Sequence, residues 1–133
     1  MRERLFRGFD NEHNVWRFGS LVEYDNGQSA IVSYADRYGG GMFTNEVIPE
    51  TVGQYTGLDN KNGVKIFEGD ILRDDEYIVI VNSFLVDGRF SVDYRTMGGK
   101  WVNYGDLLDY LEVYKGEVIG NEHDNPELLE VSE

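Results

Sequence analysis

The chain has 133 residues, enough for one domain or two small ones packed closely, with 41% apolar and 14% aromatic residues. It has no cysteine, which excludes disulfides, thiolate zinc sites and a cysteine nucleophile. A net charge of −13 opposes general binding to nucleic acid phosphates.

No run approaches the roughly 18 apolar residues of a transmembrane helix. The stretch Met1 to Asp10 is charged and has no apolar core, so no secretory signal is expected. The charge is uneven along the chain. Arg2, Arg4, Arg7 and Arg17 make residues 1–20 slightly basic, whereas residues 103–133 hold nine acids against Lys115 alone. A solvated acidic end accounts for the latter, and a surface made for a basic partner is the sharper alternative.

Nine tyrosines, seven phenylalanines, 16 glycines and only two prolines favour strands and turns. Arg4 to Phe9 reads as a first strand and Val15 to Tyr24 as a second. Asp25-Asn26-Gly27 then supplies hairpin chemistry, since Asn and Gly tolerate the positive φ of a tight turn, and Ala30 to Tyr34 returns as the partner. Residues 35–41 read as a loop ending in Gly39-Gly40-Gly41. A phosphate cradle would need a helix to follow, and Met42 to Ile48 reads as a strand ended by Pro49.

Gln54 to Leu58 leads to a polar turn at Asp59-Asn60-Lys61-Asn62-Gly63. Val64 to Phe67 and Ile71-Leu72 read as β, interrupted at Glu68-Gly69-Asp70, where glycine predicts a bend at which a Cβ would clash. Asp74-Asp75-Glu76 is a charged tip. Tyr77 to Phe84 and Phe90 to Tyr94 form a second hairpin about Asp87-Gly88. After Gly98-Gly99, Trp101-Val102 predicts a short strand, Asp106 to Tyr110 a helical turn, and Leu111 to Tyr114 and Glu117 to Ile119 terminal strands. Asn125-Pro126 opens a last helical turn through Glu130.

Few constellations carry chemistry. An EF-hand register with Gly63 at position six puts Leu58 at one and Gly69 at twelve, which fails at both ends. His13 and His123 lie near opposite ends of the chain, short of the three or four convergent ligands of a zinc site. No Gly-x-Ser-x-Gly elbow occurs. Glu68 and Asp70 flank Gly69, and strand alternation would aim both to one side. An anchored turn explains them more simply than a catalytic pair. For nucleic acid, the N-terminal arginines are the one candidate patch, with aromatics to stack bases.

The stretch Gln54 to Leu72, QYTGLDNKNGVKIFEGDIL, resembles the signature of the YopX protein family: Q-[FY]-T-G-L, a glycine turn, then I-[FY]-E-G-D-[IL]. The matching residues are Gln54, Tyr55, Thr56, Gly57, Leu58, Asn62, Gly63, Ile66, Phe67, Glu68, Gly69, Asp70 and Ile71. The chain departs from the pattern at Asp59-Asn60. Arg4 to Phe9 with Trp16 and Gly19 resembles the family's opening. Glu117 to Asn121, with Asn125 to Leu129, resembles its end.

The resemblance implies a phage or prophage protein with an all-β fold and no established catalytic residues, so the motif is expected to be structural. The expectation is therefore an all-β protein with two intertwined, hairpin-rich, barrel-like subdomains and at most short helical turns. Residues 1–50 and 63–120 form the subdomains within one domain, 51–62 bridge them, and 121–133 make an acidic tail. The expected function is that of a non-enzymatic, cytoplasmic accessory protein acting through contact with a host or phage protein. It is expected to be a homo-oligomer, without cofactor, metal or membrane. A nucleic-acid-binding β module using the N-terminal arginines is the alternative, and an enzyme of unfamiliar type a third reading.

Overall fold

The computed structural model describes residues 5–34, 41–86 and 89–130. Arg2, Arg4, Gly39-Gly40, the Asp87-Gly88 turn and the last three residues of the acidic tail lie outside them. The chain divides into two compact units, Met1–Tyr55 and Thr56–Glu133. The all-β class holds, with eleven strands and one short α-helix among the described residues.

Unit 1 is built from β1 (Phe6–Asp10), β2 (Val15–Glu23), β3 (Ser29–Tyr34) and β4 (Met42–Val47), with the start of β5 (Gly53–Asp59). Its antiparallel order is β4-β3-β2-β1-β5. The first hairpin turns where Asn and Gly require it. Gly27 has φ +89°, Tyr24 donates to the Gln28 carbonyl, and the Asn26 side chain accepts from Gln28 N–H. Pro49 opens a 3₁₀ turn, Pro49–Thr51, directly after β4. Among the described residues of this unit, Ala30, Ile31, Val47 and Tyr55 are the buried apolar side chains, a thin core. Gly8 lets Val47 sit against β1, where a Cβ would approach the valine side chain to 2.6 Å.

In unit 2 the rest of β5 stands beside β6 (Lys65–Phe67). A five-stranded antiparallel sheet follows, in the order β10-β9-β8-β7-β11. Its strands are β7 (Asp70–Arg73), β8 (Ile78–Val86), β9 (Arg89–Arg95), β10 (Trp101–Asp106) and β11 (Glu117–Asn121). The β8–β9 pairing is the expected second hairpin. Ile66, Leu72, Val79, Val81, Phe90, Val92, Leu107 and Tyr110 form one buried cluster. Each such side chain contributes roughly 1.5–3 kcal/mol by leaving water.

Two expectations need correction. Both strand orders are open-ended, so the subdomains are not barrels. Closure of the unit 2 sheet would pair β10 with β11, but a helix carries the chain from one edge to the other instead. That helix, α1 (Leu107–Tyr114), takes in Leu111 to Tyr114, which the sequence reading made a strand. Leu107, Tyr110, Leu111 and Tyr114 follow helical spacing and pack on the unit 2 core. The Asp106 carboxylate caps the helix by accepting from Leu108 N–H at 3.0 Å, and Lys115 ends it in the left-handed conformation.

Candidate functional site

The motif residues lie along β5, β6 and β7. Gln54 faces Phe6 across the β1–β5 pairing, and the Tyr55 amide donates to Leu5. The Thr56 hydroxyl is buried, donating to the Ile66 carbonyl at 2.8 Å and accepting from Leu58 N–H at 3.2 Å. Leu58 packs on the unit 2 core that contains Ile66. The Asn60 side chain accepts from the Asn62 and Val64 amides, closing the turn that ends at Gly63. Gly57, Gly63 and Gly69 all have positive φ, at 86°, 80° and 85°.

Glu68 and Gly69 form the turn between β6 and β7, and Asp70 opens β7, so the two acids are not alternate residues of one strand. Asp70 is 2% exposed and accepts from the Phe67 amide at 2.8 Å. Gly69 is required by its φ rather than by space, because a Cβ there would meet the Glu122 side chain at 3.4 Å, near an ordinary contact. Ile71 and Phe67 are buried. The motif therefore runs through buried strands and hydrogen-bonded turns.

In unit 1 the polar centre is Asp10, 2% exposed. It accepts from the Glu12 and His13 amides and from Arg17 Nε at 3.1 Å, with His13 Nδ1 at 2.7 Å. Burial pushes its carboxyl upward, but the hydrogen bonds from His13 and Arg17 outweigh that and hold it at about 2. Arg7 is 7% exposed, with its guanidinium 5.0 Å from the Trp16 ring centre. Of the four N-terminal arginines, the two described ones are thus engaged within unit 1. Among the described residues no group of three His, Asp or Glu side chains converges as metal ligands.

Unit 2 holds two concave features that the sequence reading did not identify. A groove of about 470 Å³ runs between the β7–β8 turn and the β9–β10 turn, lined by Arg73, Asp75, Glu76, Tyr77, Arg95 and Met97 among others. Tyr77 also lines a smaller cavity of about 120 Å³, walled by Tyr77, Tyr94, Tyr104, Tyr110 and Tyr114. The Tyr110 hydroxyl donates to Asp74 Oδ2 at 2.6 Å. Gly116 makes room for it, since a Cβ there would run into the Tyr110 phenol. Burial first, and then the Asp74 carboxylate, push the Tyr110 phenol far above its ordinary range. Tyr114 is raised by burial and by Tyr77, Glu76, Tyr104 and Asp74. The sequence reading divided Tyr110 from Tyr114, which stand one turn apart on α1.

The family model described as YopX protein matches residues 5–130. This chain belongs to the YopX family. The YopX match covers both units, including the strands and turns of the motif. The YopX-family chain also resembles a solved structure, that of protein EF1440 from Enterococcus faecalis. The likeness covers 98% of this chain and 100% of that one, at 26% identity and a TM-score of 0.58. No curated protein matches the chain. No helix among the described residues is long and apolar enough to cross a membrane.

Proposed function

We propose that this YopX-family chain is a phage or prophage accessory protein. On this reading it acts in the cytoplasm of a bacterial host by binding another protein, catalyses no reaction, and self-associates. One observation carries the reading. Strand β10 ends its strand order and exposes Trp101, Val102 and Tyr104. An edge strand offers a row of N–H and C=O groups to a further strand, and exposed aromatics supply the apolar centre of an interface. The engagement of Arg7 and Arg17 within unit 1 removes support from the nucleic-acid alternative.

The test compares the tagged full chain with a Trp101→Glu/Val102→Glu variant as baits in phage-infected host cells. A protein recovered by the parent and lost with the variant supports the reading. Identical recoveries overturn β10 as the contact. Light scattering over a range of concentrations tests self-association, which a monomer throughout would overturn.

A further inference from the structure

The five tyrosines around the smaller cavity of unit 2 come from the β7–β8 turn, β9, β10 and α1. Their rings touch in pairs, with centroids 4.9–5.9 Å apart, and together border a small space. Tyr104 is 36% exposed, and Tyr77, Tyr94 and Tyr114 are half-buried around a space of about 120 Å³. Tyr114 is the back of a box. The rings of Tyr77 and Tyr104 stand at 80° and 81° to it, with centroids 5.7 and 5.8 Å away, and Tyr110 lies nearly parallel at 23°. Such a space has room for about four waters, or for a guanidinium group with its last methylenes.

The chemistry of the walls selects the occupant. Tyrosine rings carry the negative lobe of the ring quadrupole on their faces, and a space lined by tyrosines alone suits a weakly hydrated cation. No lysine or arginine lines this cavity, so no side chain of the lining supplies that charge. Carboxylates stand close by: Asp74 is bonded to the Tyr110 hydroxyl, and the adjoining groove, which shares Tyr77, is lined by Asp75 and Glu76. The groove also carries Arg73 and Arg95, and Arg95 is engaged in donating to the Leu128 and Glu130 carbonyls. Guanidinium combines the required properties, because it stacks on aromatic faces, is weakly hydrated, and pairs with carboxylates through a planar fork. The net charge of −13 favours a basic partner at long range.

We propose that this tyrosine pocket binds the guanidinium of an arginine presented by a basic segment of a partner protein, whose main chain lies in the adjoining groove. The inference rests on the protein-binding reading for the source of the cation, and on the pocket alone for its chemistry.

The experiment titrates the full chain, with ring-labelled tyrosine, with N-acetyl-arginine amide, its neutral isostere N-acetyl-citrulline amide, and N-acetyl-lysine amide, followed by NMR. Saturable shifts are expected at the five pocket tyrosines with the arginine probe. Citrulline and lysine should bind at least about tenfold more weakly, equivalent to about 1.4 kcal/mol. Tyr104→Phe keeps the ring and should stay within about twofold of the parent, whereas Tyr104→Leu should lose about tenfold in affinity. Equal binding of citrulline, equal binding of lysine, or no saturable shift at these rings overturns the proposal. Should Tyr104→Leu fail to fold, the citrulline comparison on the parent decides. Arginine binding in a protein whose bait experiment finds no β10-dependent partner upholds the pocket and overturns the wider reading.

Discussion

Gly69→Ala places a methyl group on a backbone held at φ +85°. A non-glycine residue in that region costs roughly 1–2 kcal/mol. Steric crowding adds little, because the new Cβ meets only the Glu122 side chain, which is 42% exposed and can swing aside. Backbone relaxation is blocked on two sides. The Gly69 amide donates to the Val81 carbonyl and the Gly69 carbonyl accepts from Glu122 N–H, each at 2.9 Å, and losing either would cost a further 0.5–1.5 kcal/mol or so. The net loss should be about 1–2 kcal/mol, or a fall in Tm of roughly 3–8 °C for a chain of this size. Thermal melts followed by circular dichroism, with urea unfolding for ΔG, measure it. Gly98→Ala is the control in the same unit. Gly98 has no positive φ and no atom closer than 3.9 Å, so alanine there should be neutral or slightly stabilising. A Gly69→Ala protein that melts with the parent would refute the reasoning, since the turn would not then need glycine.

Thr56→Val keeps the side-chain shape but leaves the Ile66 carbonyl and Leu58 amide without the hydroxyl, and should cost about 1–3 kcal/mol in urea unfolding. Asp10 is held at about 2, below the 3.8 of an ordinary aspartate, so its contribution is complete above about pH 4 and is lost as pH falls toward 2. Asp10→Asn should therefore be less stable than the parent at pH 6 and flatten the acid limb of the stability curve measured between pH 5 and 2. The Tyr110 phenol is raised, so its proton is held more tightly in the fold than in the unfolded chain. That stability is complete below about pH 10 and declines above it. Tyr110→Phe should lose about 1–3 kcal/mol at neutral pH through the Asp74 hydrogen bond. It should also show a shallower fall in urea midpoint between pH 9 and 11.

The sequence revealed those parts of the fold that depend on neighbouring residues. Asp25-Asn26-Gly27 carries its turn in its own chemistry, and the β8–β9 pairing was legible from Asp87-Gly88 together with the apolar runs on either side. Strand β5 was missed as a strand, because Gly53, Gln54 and Gly57 break its apolar pattern and glycine is depleted in strands. Its pairing is set by β1, far away in sequence, where Arg7 faces Gly53 and Phe6 faces Gln54, and by the Thr56 hydroxyl. The C-terminal half of α1 was misread because Leu111, Val113 and Tyr114 suit strands as well as helices, while its cap, Asp106, was one acid among many. The tyrosine pocket was illegible for a related reason. Its five residues span positions 77 to 114, and their convergence depends on an edge-to-edge helical connection that local pattern does not encode.

All five tyrosines of unit 2 belong to that one cluster, while Trp16 lies beneath Arg7 in unit 1. Rings fixed within 4.9–5.9 Å of one another couple their electronic transitions, which gives near-ultraviolet circular dichroism a band that exists only while unit 2 is packed. With Trp101 replaced by phenylalanine, the remaining indole fluorescence reports on unit 1 alone. The molecule thus carries an intrinsic optical label in each half. Superimposable transitions from the two signals mean that the units unfold together, and separated transitions mean that each holds its own stability.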